Sequence, residues 1–512
     1  MWPSLPPRRW VTLRASNKTE MATFHNPVRQ SVLSAPHARP RYGFWLAGLA
    51  IFTVGAFAAF YELSSDQAIS IILVGAVFFL LMAFVAAASP TAEVRARNLV
   101  FALWWVLLGS EEVFSYVTED AEGGQVSSGA YSEAMIWVFV LFVFLLYTYR
   151  HHRYLRALFS GPYKWVSWFG VMCLASCAYA EQPAFSLAWI IKLFLAILLL
   201  AACNEQIKDD GDLRAFLTVS QWGCAFLVLV PMVRLLSDPE VLATGRIFDV
   251  GAAPTMLSVD AGLLVLFSIA LYQPGKRLSL YVFSTIGTLV MLLSAGKAGI
   301  LGCVFAGMTF FILRGRFKAA ARFLLVLSAV GALAVAFTPL GSYLKFYLNS
   351  DQAGSFTGRT EVWAAGWELI KAKILLGRGF MSSRFLAYKV NIPWQPGHLH
   401  NGFLEVWYNN GLIGLFVIVI MQYWIVRNLI RVMRMVSIND PLHTLAAGCF
   451  AIYLDIFING LVSRTFGSRP DATFMIMFAL IFVADRLLQS ANARQRAVRP
   501  VPAWQRTAVA AL

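Results

Sequence analysis

Long apolar runs follow one another along most of the chain, and they constrain its fold more than any other feature. A helix needs about 20 predominantly apolar residues to cross a bilayer. Because lipid offers no hydrogen bonds to the backbone, such runs predict an all-α polytopic membrane protein with about 12–14 transmembrane helices. The runs lie near 43–62, 67–89, 98–117, 133–149, 164–180, 185–203, 214–236, 256–273, 278–295, 297–314, 321–338, 407–427, 443–463 and 471–486.

The charged residues predict how this bundle is oriented. They make up 13% of the 512 residues, about half the share in a soluble domain. The net charge of +15 does not indicate nucleic-acid binding, because most Lys and Arg residues lie in segments between or beside apolar runs, on the predicted cytoplasmic side of the membrane. This pattern predicts cytoplasmic N and C termini. The expected parts are a disordered basic tail (1–41), a transmembrane bundle (42–338), a large periplasmic loop with short helices (339–404), C-terminal transmembrane helices (405–486) and a basic tail (487–512).

The cysteines predict core packing rather than disulfide or metal chemistry. None has zinc-finger spacing, and all lie in or at the edge of apolar runs. They are Cys173, Cys177, Cys203, Cys224, Cys303 and Cys449.

The predicted outward loop carries an excess of positive charge. Seven cations stand against three acids before Glu405. A basic outward surface suits a phosphate-bearing substrate, whereas a solvated loop near anionic headgroups explains it equally well. The cations are Lys345, Arg359, Lys371, Lys373, Arg378, Arg384 and Lys389.

The same loop predicts one amphipathic helix over 361–372. Trp363, Trp367 and Ile370 recur at helical spacing, and Thr360 is the expected N-cap. Such a helix is expected to lie on the membrane surface and shield a cavity at the lipid boundary. Two glycines downstream are expected to end it.

Two histidines and an amide directly precede a hydrophobic span, and they are the best candidates for chemistry. A neutral imidazole can take a proton from a sugar hydroxyl at neutral pH. His398 and His400 stand beside Asn401 at the end of the basic loop. A zinc site is the competing interpretation, but Glu405 lies five residues after His400 instead of at the helical spacing of a ligand pair.

Cations near the outer ends of spans are candidates for binding an anion. A charge at membrane depth costs about 2.5–3.5 kcal/mol, so it usually faces a polar cavity. Snorkelling to the headgroups is the simpler expectation for Lys192 and Arg464. It is weaker for Lys297 and Arg359, which have small or polar neighbours. Arg246 is a further candidate.

Acidic residues within the spans have two interpretations. Glu111, Glu112, Asp260 and Asp455 could form a transporter's proton relay or pair with the cations. Asp260 follows Arg246 closely in sequence, so pairing between these two is the more economical expectation. Walker A and Rossmann glycine motifs do not occur in the sequence, which disfavours a soluble nucleotide donor.

Together these motifs resemble the superfamily of bacterial O-antigen ligases and Wzy-type polysaccharide polymerases. Gly358-Arg359-Thr360-Glu361-Val362-Trp363, followed by Leu376-Gly377-Arg378-Gly379-Phe380, resembles the family's loop signature. His400-Asn401, nine residues and Gly411-x-x-Gly414 fit the ligase pattern.

Two further turns extend the resemblance over about residues 165–480. Leu293-Ser294-Ala295-Gly296-Lys297 is similar to the family's Ser-x-Ser-Arg turn, with glycine and lysine in place of the second serine and the arginine. Segment 176–183 is similar to a Ser-x-x-x-Ser-x-x-Pro turn.

The resemblance implies a GT-C-like fold in the bacterial inner membrane and a periplasmic active site. It implies transfer of a polyprenyl-diphosphate-linked oligosaccharide to an acceptor hydroxyl, without metal or cofactor. His400 would activate the acceptor, with Arg359 as the second catalytic residue. Arg246, Lys297 and Arg378 would bind diphosphate, and the supporting residues would be His398, Asn401, Glu405 and Asp260.

Within this superfamily, an exopolysaccharide polymerase is favoured over an O-antigen ligase that acts on lipid A–core. The segment from Trp394 to Glu405 is closer to polymerases, whereas the nine-residue gap fits ligases equally well. A lipid-linked sugar transporter or flippase is the rival class, but it leaves the basic loop unexplained. The implied partners are lipid-linked donor, acceptor glycan, membrane lipids, chain-length regulators and export proteins, and no nucleic acid.

Overall fold

The structure is a computed structural model that describes most of the chain after residue 77. The described residues are 78–114 without 79, 86 and 88, then 128–237, 254–273, 277–337, 341–342, 345, 358–390, 392, 397–467 and 469–498. The predicted span 43–62 and most of the span 67–89 lie outside them.

The α-helices of the described part follow one another with short connections. Four 3₁₀ helices accompany them, at Arg153–Phe159, Gly161–Tyr163, Cys177–Tyr179 and Ser382–Tyr388. The α-helices are α1 (Ala92–Phe114), α2 (Ser128–Arg150), α3 (Lys164–Ser176), α4 (Pro183–Gln206), α5 (Asp210–Ser237), α6 (Pro254–Ala270), α7 (Arg277–Leu293), α8 (Lys297–Leu313), α9 (Phe317–Phe337), α10 (Arg359–Lys371), α11 (Gly402–Met435), α12 (Pro441–Gly460) and α13 (Ala472–Val498).

Six of these helices are long and apolar enough to cross a membrane: α4, α5, α9, α11, α12 and α13. Shorter apolar helices are found in α2, α6, α7 and α8. The prediction of an all-α, multi-pass membrane protein is therefore confirmed. Large apolar side chains such as Leu146, Leu325 and Phe416 remain exposed, as expected of surfaces that face lipid.

Small residues allow the central helices to pack closely. Helix α6 contacts α5, α7, α8 and α12. A Cβ on Gly302 of α8 would clash with Asp455 of α12, and a Cβ on Gly299 would clash with Ser258 of α6. This arrangement resembles membrane helix interfaces in general, where small residues let backbones approach.

Lys192 lies inside the bundle, so the snorkelling predicted for it is wrong. Its side chain in α4 is 0% exposed. The Nζ atom lies 4.9 Å from the ring centroid of Trp137 and 5.3 Å from that of Trp189. The negative faces of indole rings attract a cation, which gives the charge favourable contacts at membrane depth.

The prediction that the cysteines pack in the core is confirmed. All six thiols are free and buried among apolar side chains.

Candidate active site

Helix α11 begins where the histidine loop ends, and Asn401 caps it. The Oδ1 atom of Asn401 accepts hydrogen bonds from the N–H groups of Phe403 (3.0 Å) and Leu404 (3.1 Å). Asparagine is a preferred N-cap because its short side chain satisfies donors that the helix leaves open. Its Nδ2 donates to the carbonyl of Leu461 at 2.9 Å. One side chain thus starts α11 and joins it to the end of α12.

The glycine of the nine-residue pattern interrupts α11. Gly411 has φ +66° and ψ −170°, which breaks the helix. The N–H of Arg378 donates to the carbonyl of Tyr408 at 2.8 Å. The N–H of Gly379 donates to the carbonyl of Asn409 at 2.9 Å. A Cβ on Gly411 would clash with the backbone of Leu375 and Leu376, which belong to the segment 375–380 docked on α11. Two motifs that are far apart in sequence therefore form one joint.

The turn before α4 packs on the other side of the docked segment. Ser176 Oγ accepts from the N–H of Phe380 at 2.9 Å, and Ser186 Oγ donates to the Phe380 carbonyl at 2.6 Å. The Tyr179 hydroxyl donates to the carbonyl of Leu376 at 2.8 Å. Three of the sequence motifs are therefore neighbours in space.

Helix α10 lies over the histidine loop and fixes its central residue. Leu399 is 0% exposed in a small core with Val362 and Ile370. The Trp363 Nε1 donates to the Leu399 carbonyl at 2.8 Å. Gly366 gives the Leu399 side chain room, since a Cβ there would clash with it. The histidines thus flank an anchored leucine.

The predicted helix in the loop is confirmed, but its cap and its buried face differ from the prediction. Helix α10 begins at Arg359 after Gly358, whose φ of +76° is open to glycine, so the N-cap is not Thr360. The buried residues within the helix are Val362, Gly366 and Ile370. Trp367 instead packs edge-on against Trp407 with centroids 5.0 Å apart. Small side chains allow the closer approach, and the amphipathic indoles remain at the margin.

The two histidines lie together in a strained loop. The ring centroids of His398 and His400 are 3.8 Å apart, with their planes 37° from parallel. His400 has φ +51°, which is uncommon for a residue with a Cβ and costs about 1–3 kcal/mol. Glu405 is fully buried, and its Oε1 accepts from the Leu399 N–H at 2.7 Å. This carboxylate helps to hold the loop in its conformation.

The surroundings of His398 favour its neutral form. Burial lowers the pKa of His398 well below its usual range, and the positive charges of its neighbours lower it further. These neighbours are His400, Arg464, Arg384 and Arg469. At neutral pH, His398 is therefore an uncharged ring beside His400 in a strongly positive environment.

Asn409 of α11 connects the segments that carry these arginines. Its Nδ2 donates to the carbonyl of Gly467 at 3.0 Å and to Ser383 Oγ at 3.1 Å. Its Oδ1 accepts from the Ser383 N–H at 2.8 Å. The loop after α12 and the 3₁₀ helix at 382–388 are therefore fixed to the same amide, close to the histidine loop.

Arg464 is a second error of the snorkelling prediction. Its side chain is only 2% exposed, and Arg469 is 4% exposed. Both lie in the loop that joins α12 to α13. The polar turn folds back over the start of α11, so Arg464 faces the protein interior instead of the lipid headgroups.

The other predicted loop cations have different surroundings. Arg359 is half-buried at the start of α10, one helical turn before Trp363 and therefore on the same face. Arg378 is engaged by the protein itself. Its Nη2 donates to the Leu369 carbonyl at 3.2 Å, and its guanidinium lies 5.6 Å from the ring centroid of Tyr408.

The remaining predicted site residues are spread along the bundle. Lys297 is exposed at the first position of α8, after a turn in which Ala295 has φ +51°. Asp260 is 1% exposed in α6. Arg246, its predicted partner, lies outside the described residues.

The family model for O-antigen ligase matches residues 256–419. This region begins in α6, includes the histidine loop and ends within α11. Residues 256–419 are therefore similar to the O-antigen ligase family. Members of this family are glycan ligases and polymerases, and the match supports a glycan-transferring membrane enzyme. No curated protein matches the chain.

Four residues around the histidine loop were not among the site residues predicted from the sequence. They are Arg384, Asn409, Arg464 and Arg469. The last two lie beyond the matched region. A signal for the last two exists in the sequence, because they lie within the seven-residue turn between the predicted spans 443–463 and 471–486. Their return to the histidines requires the tertiary fold.

Proposed function

We propose that the protein is an inner-membrane glycan polymerase of exopolysaccharide biosynthesis. It would take an oligosaccharide from a polyprenyl diphosphate carrier and transfer it to a sugar hydroxyl on the periplasmic face. The observation that carries this proposal is the close pair of His398 and His400, with ring centroids 3.8 Å apart, near three arginines that lower the pKa of His398. This site offers a proton acceptor and an anion-binding environment together.

The proposed step is a single displacement. The acceptor oxygen attacks the anomeric carbon of the donor sugar, and the new C–O bond forms as the bond to diphosphate breaks. The electron pair leaves on the diphosphate oxygen, and His400 takes the hydroxyl proton. The configuration at the anomeric carbon inverts. Positive charge near the leaving oxygen stabilises the transition state.

The strained loop supports the assignment of the base to His400. A side chain held at φ +51° needs support from its neighbours. That support comes from the buried Leu399, whose N–H donates to Glu405 and whose carbonyl accepts from Trp363, so the backbone is fixed directly before His400. Such preorganisation is expected where a reacting group must be held precisely in place.

The test is turnover by the purified full chain in nanodiscs, with a polyprenyl-diphosphate glycan as donor. Release of polyprenyl diphosphate is expected only when an acceptor is present. His400→Ala should reduce it by about 10²–10⁴-fold, the usual contribution of a general base. His152→Ala is the matched control, because this histidine is exposed in the segment between α2 and α3. Unchanged release by His400→Ala would overturn the proposal.

An O-antigen ligase is the second candidate, favoured by the family match over residues 256–419. The two candidates differ in acceptor, and deletion of the gene separates them. Loss of secreted polymer with normal lipopolysaccharide supports the polymerase. Loss of all glycan capping on lipid A–core supports the ligase. A lipid-linked sugar transporter would instead move the donor across vesicles without releasing polyprenyl diphosphate.

A further inference from the structure

A cavity of about 250 Å³ opens at the end of the bundle opposite the histidine loop. Its walls come from the segment between α2 and α3, from the last turn of α4 and from α13. None of its lining residues falls within 256–419, the region that matches the ligase family. Helix α4 starts beside the docked segment at Ser186 and reaches the cavity at Asn204, about 27 Å further along its axis. This distance is close to the thickness of the hydrocarbon core, about 30 Å, which places the cavity at the level of lipid headgroups.

The floor of the cavity is aromatic and closely packed. The Tyr163 and Phe482 side chains are both buried, and their rings meet edge-on with centroids 6.4 Å apart. The Phe482 ring also packs against Phe216, with centroids 5.1 Å apart. The Tyr163 hydroxyl donates to the Ile197 carbonyl at 2.5 Å. These rings are therefore engaged with one another and do not form the open aromatic cage that binds a quaternary ammonium group.

A guanidinium and a carboxylate stand side by side on the α13 wall. Arg486 donates from Nε to Asn204 Oδ1 and from Nη2 to the Asn204 carbonyl, both at 2.7 Å. Its remaining nitrogen, Nη1, makes only a long bond of 3.5 Å to Gln489 Oε1. Asp485 Oδ2 accepts from Gln489 Nε2 at 2.8 Å, and its Oδ1 accepts no hydrogen bond from the described residues. One cationic donor and one anionic acceptor thus remain available to a ligand.

The rim of the cavity carries apolar side chains that face outward. The 3₁₀ helix at 153–159 contributes Ala157 to the lining, and its Leu155 and Phe159 are 45% and 63% exposed. Exposed apolar side chains of this size in a membrane protein are expected to contact acyl chains. A lipid whose headgroup entered the cavity would therefore have its chains beside an apolar surface, which favours a lipid over a soluble ligand.

We propose that this cavity binds the headgroup of a phospholipid that carries both a primary amine and a phosphate, as phosphatidylethanolamine does. The ammonium group would donate to Asp485 Oδ1, and a phosphate oxygen would accept from Arg486 Nη1. The inference is independent of the proposed function, because the site lies at the other end of the bundle and takes no part in glycan transfer.

The shape and charge of the cavity exclude other ligands. Its volume lies below the range of about 300–1,000 Å³ that is usual for drug-sized ligands, so a nucleotide or an oligosaccharide is too large. An anionic headgroup without an amine would leave Asp485 beside a negative charge and without a partner. A choline headgroup has no N–H to donate, and the packed rings of Tyr163 and Phe482 offer it no cage.

The experiment titrates phosphatidylethanolamine, phosphatidylcholine or phosphatidylglycerol into the purified full chain in detergent. Native mass spectrometry gives the affinity of the first bound lipid, and thermal unfolding is the second readout, because a ligand that binds only the folded state stabilises it. Phosphatidylethanolamine should bind about tenfold more tightly than the other two lipids, the usual effect of one charge-assisted hydrogen bond.

Two variants test the assigned contacts. Asp485→Asn should remove the preference for phosphatidylethanolamine, because a neutral amide no longer attracts the ammonium group. Ala157→Phe should abolish tight binding while it leaves every charge in place, because the ring fills the cavity that Ala157 lines. Glu93→Gln is the matched control for the first variant, since Glu93 is an exposed acid at the same end that pairs with Lys208. It should keep both the affinity and the preference.

Three results would overturn the inference. The first is equal affinity of the wild-type protein for all three lipids. The second is an Asp485→Asn variant that still prefers phosphatidylethanolamine. The third is competition by soluble phosphoethanolamine as effective as that of the lipid, which would make the ligand a soluble zwitterion. His400→Ala should bind phosphatidylethanolamine as the wild type does, so failure of the proposed function and failure of this inference are observed separately.

Discussion

The two ends of the helix bundle hold their charges in different ways. At the end that carries Asp440, between α11 and α12, most of the ion pairs lie at the surface, while the pair of Arg97 and Asp212 is largely buried. Arg494 bonds to Asp210 and to Asp440, and Lys208 bonds to Glu93. At the histidine end, Arg464 and Arg469 are almost entirely buried.

The difference shows which charges depend on the surrounding fold for their position. Exposed ion pairs are screened by water and contribute about 0–1 kcal/mol. Buried charges need aligned dipoles and hydrogen bonds, so they persist where the surrounding structure enforces them. The histidine end has such structure in the joint of α11, its asparagine cap and the folded loop after α12. The other end has helix termini that water could satisfy.

The largest expected effect comes from the joint at Gly411. Gly411→Ala forces a Cβ into a left-handed residue and against the backbone of Leu375. The conformational and steric costs together are about 2–6 kcal/mol. Thermal unfolding in detergent should show a large loss, and turnover should fall with it. Gly331→Ala is the control, because open space surrounds that glycine in α9. It should be neutral or stabilising by up to about 1 kcal/mol. Equal effects of the two substitutions would refute the joint.

The next largest effect is expected at Asn409, whose amide binds both the 3₁₀ helix at 382–388 and the loop after α12. Asn409→Leu removes hydrogen bonds to Ser383 and Gly467 and leaves buried groups without partners, at a cost of about 2–4 kcal/mol. Asn428→Leu is a matched control in the same helix. Its buried amide has no partner among the described residues, so a leucine should be tolerated there. Chemical denaturation of both variants measures the two free energies of unfolding. If Asn409→Leu is as stable as Asn428→Leu, Asn409 does not hold these segments together.

A smaller effect concerns acid. The pKa of His398 is lower in the folded protein than in the unfolded chain. As the pH falls, this histidine is therefore protonated in the unfolded chain before it is protonated in the folded protein. The free energy of unfolding should therefore decrease as pH falls below about 6.5, the ordinary histidine pKa. His398→Gln should reduce the slope of the unfolding free energy against pH by an amount that corresponds to at most one proton. Above pH 7, the curves of the variant and the wild type should run parallel. Chemical denaturation at a series of pH values measures it. Identical slopes at pH 5–6 would contradict the buried, positive setting.

The smallest effect is expected at the opposite end. Arg494→Gln removes exposed ion pairs with Asp210 and Asp440, which should cost about 1 kcal/mol or less and diminish in salt. Turnover should stay at the wild-type level. A loss of stability as large as that of Asn409→Leu, measured in the same unfolding assay, would remove the contrast between the ends.

Much of the fold could be predicted from the sequence because apolar run length is a local property. The spans of α4, α12 and α13, and the helix over 361–372, follow from periodicity and length. The position of the histidines before α11 is likewise local, and Asn401 is a recognisable cap.

The rest depended on tertiary contacts that no local pattern reveals. Lys192 and Arg464 look like interfacial cations in sequence, yet indole rings enclose one and a folded loop encloses the other. The buried face of α10 was misassigned because a sequence pattern counts tryptophan as a core residue, whereas Trp367 lies at the edge of the packed interface. Arg384 was one of seven loop cations, and only the bond between Ser383 and Asn409 distinguishes it.

The gap between Asn401 and Gly411 now has a geometric meaning. Its nine residues form about two and a half helical turns, with both ends fastened to other parts of the protein. The segment therefore sets a length of about 13.5 Å and also a rotational phase. One inserted residue would rotate the histidine loop by about 100° relative to the membrane-spanning part of α11. The number of residues in this motif therefore fixes the direction in which the histidine loop faces, because each residue adds a set rotation about the helix axis.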